Sequence, residues 1–265
     1  MQIDIQLSPA VESWTGLRDG VLLAEERGFD TAWTFDHLDG SMLNGTTMIE
    51  CFSLLGALAA STERIKLGTL VVNVANRLPA VMAQSAASVQ ALSRGRFTLG
   101  LGAGAAPGNQ WSAEHARLGI ELGRTMVDRH ERVVATLDEL DRLWAPDRPD
   151  DLAGFALPNP VPPVILGVNS VALARLAGER CDGVNVRSNH DRLDELLRAA
   201  HHARSAAGRD DAPWDCSVWA FWDEALLRPD HPDRVRWAAL GVGRLVLVSL
   251  VPLERAVLGR AVPIA

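Results

Sequence analysis

A carboxylate and an imidazole stand side by side at Asp36–His37, directly after the strand-like run Thr31–Phe35 (TAWTF). An imidazole near neutrality can donate a proton, accept one or polarise a neighbouring ring atom. Asp36 is placed in sequence to orient or charge it. The plainer alternative is a histidine that hydrogen-bonds its own loop. Other polar residues also follow β-like runs. Asn73, Asn76 and Arg77 come after Ile65–Val72, and Gly100, Gly102 and Gly104 punctuate GLGAGAAPG around Ala103. Gly167, Val168, Asn169 and Ser170 separate a strand-like run from a helical one, and Asn185, Arg187 and Ser188 end another. Glycines let a ligand come close to the backbone, or simply let a strand leave its sheet. Free N–H groups opening a helix suit a phosphate, and Asn169 could equally cap them.

Other chemistries fit less well. Gly100, Gly102 and Ala105 match a relaxed dinucleotide fingerprint, but on the fourth strand-like run and with Pro107 disturbing the helix start. No GxSxG elbow, Cys/His cluster or acidic cluster with ligand spacing is present, so neither a serine triad nor a metal is expected. Trp14 and Trp111 lie in or beside the loops that follow strands and could cover a flat ring.

These residues need elements to position them. Eight β-like runs occur: Gln2–Ser8, Thr31–Phe35, Ile65–Val72, Arg96–Gly102, Val164–Val168, Gly183–Val186, Cys216–Phe221 and Arg244–Ser249. Several are rich in Val, Ile and Leu without alternation, as parallel strands buried on both faces are. Helical patterns lie between them. Ser13 precedes one, Thr47 and Glu50 have capping-box spacing before another, and Pro79 suits a first turn ended by Gly95. Leu118–Trp144 reads as one long amphipathic region. Asn169 and Ser188 could cap two further helices, and His231–Leu240 and Leu253–Leu258 supply the last two. Strict alternation of eight strands and eight helices predicts a (β/α)8 TIM barrel over residues 1–265, one domain with an irregular loop around 103–119. All the polar residues named above then sit at one barrel mouth.

Bulk properties narrow the partners. The formal charge is −7 and the 26 basic residues are dispersed, which argues against nucleic acid. Cys51, Cys181 and Cys216 are far apart and odd in number, so a reducing cytoplasm is expected rather than a disulfide framework. MQIDIQLSPA lacks the features of a signal peptide. The apolar runs FSLLGALAA and LVLVSLVPL are short of the roughly 20 residues a bilayer span needs.

GFDTAWTFDHL resembles the second-strand signature of the luciferase-like monooxygenase family. RIKLGTLVVNVANRLPAVMAQSAASVQALSRGRFTLGLGAG resembles its most specific block, and PVILGVNSVALARLAGERCDGVNV and ALGVGRLVLV resemble later ones. The resemblance implies a (β/α)8 enzyme using FMN or the deazaflavin coenzyme F420, with the F420 branch favoured and FMN the alternative. A non-catalytic flavin-binding protein is a further alternative, which the Asp36–His37 pair argues against. The resemblance puts Asp36 and His37 near the reactive face of the ring and a non-proline cis peptide at Leu70–Val71 behind it. It makes Asn73 a ring contact and assigns Gly102, Ala103 and Gly104 to the glycine turn. Gly167, Val168, Asn169 and Arg187 fall on the phosphate side. It also implies a small-molecule substrate and a homodimer. The family's sugar-phosphate dehydrogenases carry a glutamate after the glycine turn. Here that position is Ala105, which argues against a sugar phosphate.

Overall fold

Runs of Val, Ile and Leu with few polar interruptions can be buried on both faces, and here they pair in parallel throughout. The computed structural model describes residues 1–10, 13–43 and 45–250. The strands are β1 (Gln2–Leu7), β2 (Thr31–Thr34), β3 (Lys66–Thr69), β4 (Val72–Asn73), β5 (Phe97–Gly102), β6 (Val164–Gly167), β7 (Gly183–Arg187), β8 (Asp215–Phe221) and β9 (Arg244–Ser249). Neighbours pair in the order β3-β2-β1-β9-β8-β7-β6-β5-β4, and β3 also pairs with β5. Because β3 and β4 are two halves of one barrel strand, this closes an eight-strand parallel barrel, a TIM barrel, as predicted. The helices are α1 (Trp14–Glu26), α2 (Cys51–Ser61), α3 (Pro79–Leu92), α4 (Ala113–Leu118), α5 (Met126–Trp144), α6 (Val171–Arg180), α7 (Leu193–Ala206) and α8 (Pro232–Ala239).

Alternation along β1 explains both cores. Ile3, Ile5 and Leu7 face the layer between sheet and helices, with Leu67, Leu99, Leu101, Leu166, Val184 and Leu245. Asp4 and Gln6 alternate with them and are also buried. Inside the barrel a smaller cluster holds Trp33, Leu70, Ile165, Val246 and Val248, with Phe35, Val71 and Trp219 packed against it. Below it, at the N-terminal ends of the strands, Arg244 reaches Asp4 (2.8 and 2.9 Å), Asp30 (2.8 Å) and Asp215 (2.7 Å). The Trp33 indole N–H donates to Asp4 at 2.6 Å. Burial pushes the Asp4 carboxyl up to about 7, against the pull of Arg244 and Trp33. This network plugs the bottom and leaves the other end for chemistry.

Several boundaries differ from expectation, each for a local reason. The run Ile65–Val72 is interrupted by a cis peptide at Leu70–Val71, where the resemblance had placed one. The region 118–144 is one helix only from Met126; Leu118 is the last residue of the separate α4. Gly119 turns left-handed (φ +69) after α4, and Thr125 and Asp128 form a capping box that starts α5. Helix α2 starts at Cys51, so Thr47 is not its cap; Glu50 accepts the Ser53 N–H instead. Ser170, not Asn169, caps α6 through the Leu173 N–H. Helix α7 starts at Leu193 after Arg192 with no side-chain cap, so Ser188 caps nothing. The expected helix Leu253–Leu258 lies outside the described residues. Among the described residues, no helix is long and apolar enough to cross a membrane.

Candidate active site

Asp36 and His37 lie just past the end of β2, after Phe35. They do not pair with each other, as the sequence had suggested, but with different partners. Each goes its own way, and the two partners define the site.

His37 pairs with Glu114. Its Nδ1 lies 2.8 Å from Glu114 Oε1, and the backbone N–H groups of Leu38 (2.6 Å) and Asp39 (2.9 Å) donate to Oε2. Both carboxylate oxygens are thus used, and the Glu114 side chain is only 1% exposed. Burial opposes its ionisation. The His37 ring and the two N–H groups outweigh that and hold the carboxyl below its ordinary range. Trp111 stands 5.5 Å from the His37 ring and Phe35 6.1 Å, so the imidazole has aromatic neighbours. Its Nε2 has no partner among the described residues.

Asp36 pairs with Arg77 instead. Two parallel bonds of 2.8 and 2.7 Å join carboxylate to guanidinium. Asp36 also accepts the Asn73 N–H (3.0 Å), and Asn76 donates to both its side chain and its carbonyl (3.1 and 2.8 Å). Burial pushes the Asp36 carboxyl up, with Arg77 and Asn73 pulling the other way. The Arg77 side chain is only 13% exposed. It also bonds Glu50 and lies 5.0 Å over the Phe52 ring. Asp36 is thus the knot that ties the end of β2 to β4 and the start of α3.

Asn73 is engaged as well. Its Oδ1 accepts the Ala75 N–H (2.9 Å) and its Nδ2 is 2.9 Å from His115 Nε2, which also lies 2.8 Å from Asn76 Oδ1. Burial lowers the His115 pKa, with the Glu114 charge opposing, so this ring is neutral at neutral pH.

The glycine turn makes room for neighbouring side chains. A Cβ at Gly102 would fall 2.4 Å from Val71 Cγ2, and one at Gly167 would fall 2.8 Å from Val71 Cγ1. At Gly104 (φ +77) it would meet Asn73 Oδ1 at 2.5 Å. The space left by missing side chains is taken by Val71 and Asn73, so these glycines shape the mouth by admitting protein. Ala103 packs against the outer apolar layer, and Val168 is buried within it. Val168 sends its N–H to the Asn185 carbonyl. Asn169 is exposed and free of the capping role. Arg187 is exposed and rests on Trp219 (5.1 Å) and Phe221 (5.5 Å), with no carboxylate partner among the described residues. A cation on an aromatic face beside the start of α6 is suited to an anion.

Phe35, Val71 and Trp219 are only partly buried at the mouth end of the inner cluster. An apolar floor, an imidazole on one side and a free guanidinium with helix-start N–H groups on the other fit a flat ring with an anionic tail. Sequence reasoning missed Glu114, His115 and Glu50. The one cue for Glu114 was its place in the 103–119 loop. Among the described residues no cluster of His, Cys, Asp or Glu could hold a metal.

Comparison with known proteins places the fold and sequence in a family. The family model for luciferase-like monooxygenases matches residues 1–222. An F420-dependent glucose-6-phosphate dehydrogenase of Microbacterium testaceum (strain StLB037) is 30% identical over 94% of this chain and 76% of its own. A 5,10-methylenetetrahydromethanopterin reductase of Methanolobus tindarius is 30% identical over 75% of this chain but only 58% of its own. Among solved structures, an F420-dependent secondary alcohol dehydrogenase in complex with an F420-acetone adduct superposes with a TM-score of 0.75. It is 17% identical, with 98% of this chain and 97% of that one covered, a likeness of fold. With most of its length matched by the family model, the chain belongs to the luciferase-like monooxygenase family.

Proposed function

We propose that the chain is an F420-dependent oxidoreductase acting on a small organic molecule. The observation that carries this is His37. Its Nδ1 is held by a buried carboxylate, and its Nε2 is free among the described residues beside an apolar floor that fits a planar ring. Support comes also from relatives whose names state F420 dependence. Bound deazaflavin would supply or take up a hydride. Val71 would lie under the ring. Arg187 and the N–H groups at 169–171 would hold the anionic tail. His37 would give a proton to the substrate or take one from it. Asp36, through Arg77 and the Asn73 N–H, would keep the ends of β2 and β4 in register, positioning the strands rather than orienting His37 as first expected.

Ala105 and the aromatic neighbours of His37 favour an uncharged substrate over a sugar phosphate. Within the same reading the protein works in the cytoplasm as a homodimer, which light scattering on purified protein tests. All three cysteines are unpaired and buried, consistent with a reducing compartment. The decisive measurement is cofactor binding. Titration with F420 should give saturable binding that His37→Ala retains while turnover is lost. Tight FMN binding with no F420 binding would instead make the chain an FMN-dependent monooxygenase.

A further inference from the structure

His37 has two nitrogens, and which one carries the proton decides what it can do in the mouth. An ionised carboxylate can only accept hydrogen bonds. Glu114 Oε1 at 2.8 Å therefore requires a proton on Nδ1. Among the described residues Glu114 has no arginine or lysine partner, and the neutral His115 has its Nδ1 4.0 Å away. A carboxylate buried this deeply is costly unless it is paired and hydrogen-bonded. Here the pairing is with His37.

We propose that Glu114 is a positioning residue that keeps the His37 proton on Nδ1 and so makes Nε2 the nitrogen that exchanges a proton with the substrate. This rests on the oxidoreductase reading above. With oxidised deazaflavin bound as acceptor of the hydride and its two electrons, an alcohol O–H would give its proton to Nε2 as its C–H hydride left, yielding a carbonyl compound and a His37 imidazolium facing Glu114. In the reductive direction the same proton returns from Nε2 to the carbonyl oxygen. The logic is that of a carboxylate behind a catalytic histidine, reached here from a six-residue helix across the barrel mouth.

A purely structural role is the competing account, because Glu114 also ties down Leu38 and Asp39. Glu114→Gln separates the two. The amide oxygen can still accept both N–H groups. The amide NH2 then faces Nδ1 and forces the proton to Nε2. The test is a long-range proton–nitrogen correlation spectrum of full-length protein labelled with 15N-histidine, without cofactor. The His37 signals are assigned by their loss in His37→Gln. The wild type should show a protonated Nδ1 and a bare Nε2, and Glu114→Gln should show the reverse. A wild-type ring protonated on Nε2 alone, or an unchanged pattern in Glu114→Gln, would overturn the proposal. F420 titration of the same samples tests the oxidoreductase reading separately. Absent F420 binding with the expected tautomers would sink that reading and leave the Glu114 assignment standing.

Discussion

Arg77→Met should expose how much of the mouth depends on a buried charge. The Asp36 side chain is 1% exposed and that of Arg77 13%. Removing the guanidinium deletes two charge-assisted bonds of 2.8 and 2.7 Å. The carboxylate keeps the Asn73 N–H and the Asn76 amide. Breaking a buried pair from one side costs roughly 3–5 kcal/mol, because the remaining charge stays desolvated. Against a total stability on the order of 5–15 kcal/mol, that is a large loss. The pH dependence follows from the sign of the shifts. Burial already raises the Asp36 pKa above 3.8, and Arg77 is the chief group opposing it. Without Arg77 the folded state binds a proton more tightly still, so the variant's stability falls as pH rises from about 4. Glu50 acts in the same sense. Burial opposes its ionisation, but the Ser53 N–H and Arg77 bonds hold its pKa down in the wild type. That contribution is present above about pH 4.5, and part of it disappears with Arg77. The gap between wild type and variant should therefore be small near pH 4.5 and full at pH 8. Urea unfolding followed by tryptophan fluorescence at both pH values measures it. Asp36→Asn with Arg77→Met should recover about half the loss or more, since no charge is left stranded. A cost of about 1 kcal/mol or less, or one equal at both pH values, would refute the reasoning.

Three further outcomes are expected. Gly102→Ala drives a methyl into Val71 and should cost about 1–3 kcal/mol, seen as a lower melting temperature that Val71→Ala partly restores. Asp4 has a folded pKa of about 7 against 3.8 unfolded, so the native state binds the extra proton between those values and stability falls as pH rises through them. Asp4→Asn should flatten that slope in melting temperature against pH. Arg187→Ala should leave the melting temperature unchanged, because the side chain is exposed. It should weaken F420 binding by roughly tenfold at low salt and less at high salt.

The barrel was legible because its strands are apolar on both faces and its helices are not. All eight runs appear in the expected order, with Ile65–Val72 broken into β3 and β4 at the Leu70–Val71 cis peptide. What was not legible is who holds whom. Glu114 meets His37 across 77 positions, from a helix too short to show periodicity. Nothing in the sequence around Arg77 marks its pairing with Asp36, 41 positions away. Helix starts were misread by a few residues at Thr47, Asn169 and Ser188, since Ser, Thr and Asn all suit a cap and only the backbone angle at one position decides. The glycines were recognised as special, but sequence shows that a side chain is missing and not what fills its place.

That last point changes what the glycine turn says about function. Gly102 and Gly167 belong to β5 and β6, yet both are cleared for one side chain, Val71, which the cis peptide delivers from the break between β3 and β4. Three strands thus cooperate to put an isopropyl group at the mouth end of the inner core. Asp36 fixes that same break from the other side by holding the Asn73 N–H. The adjacent residues that first suggested a catalytic couple therefore divide the work. Asp36 holds the floor in place, and His37, backed by Glu114, faces whatever lies on it. A loss of activity on changing Asp36 would thus be a loss of shape, and should come with weaker F420 binding. The same loss on changing His37 should leave binding intact.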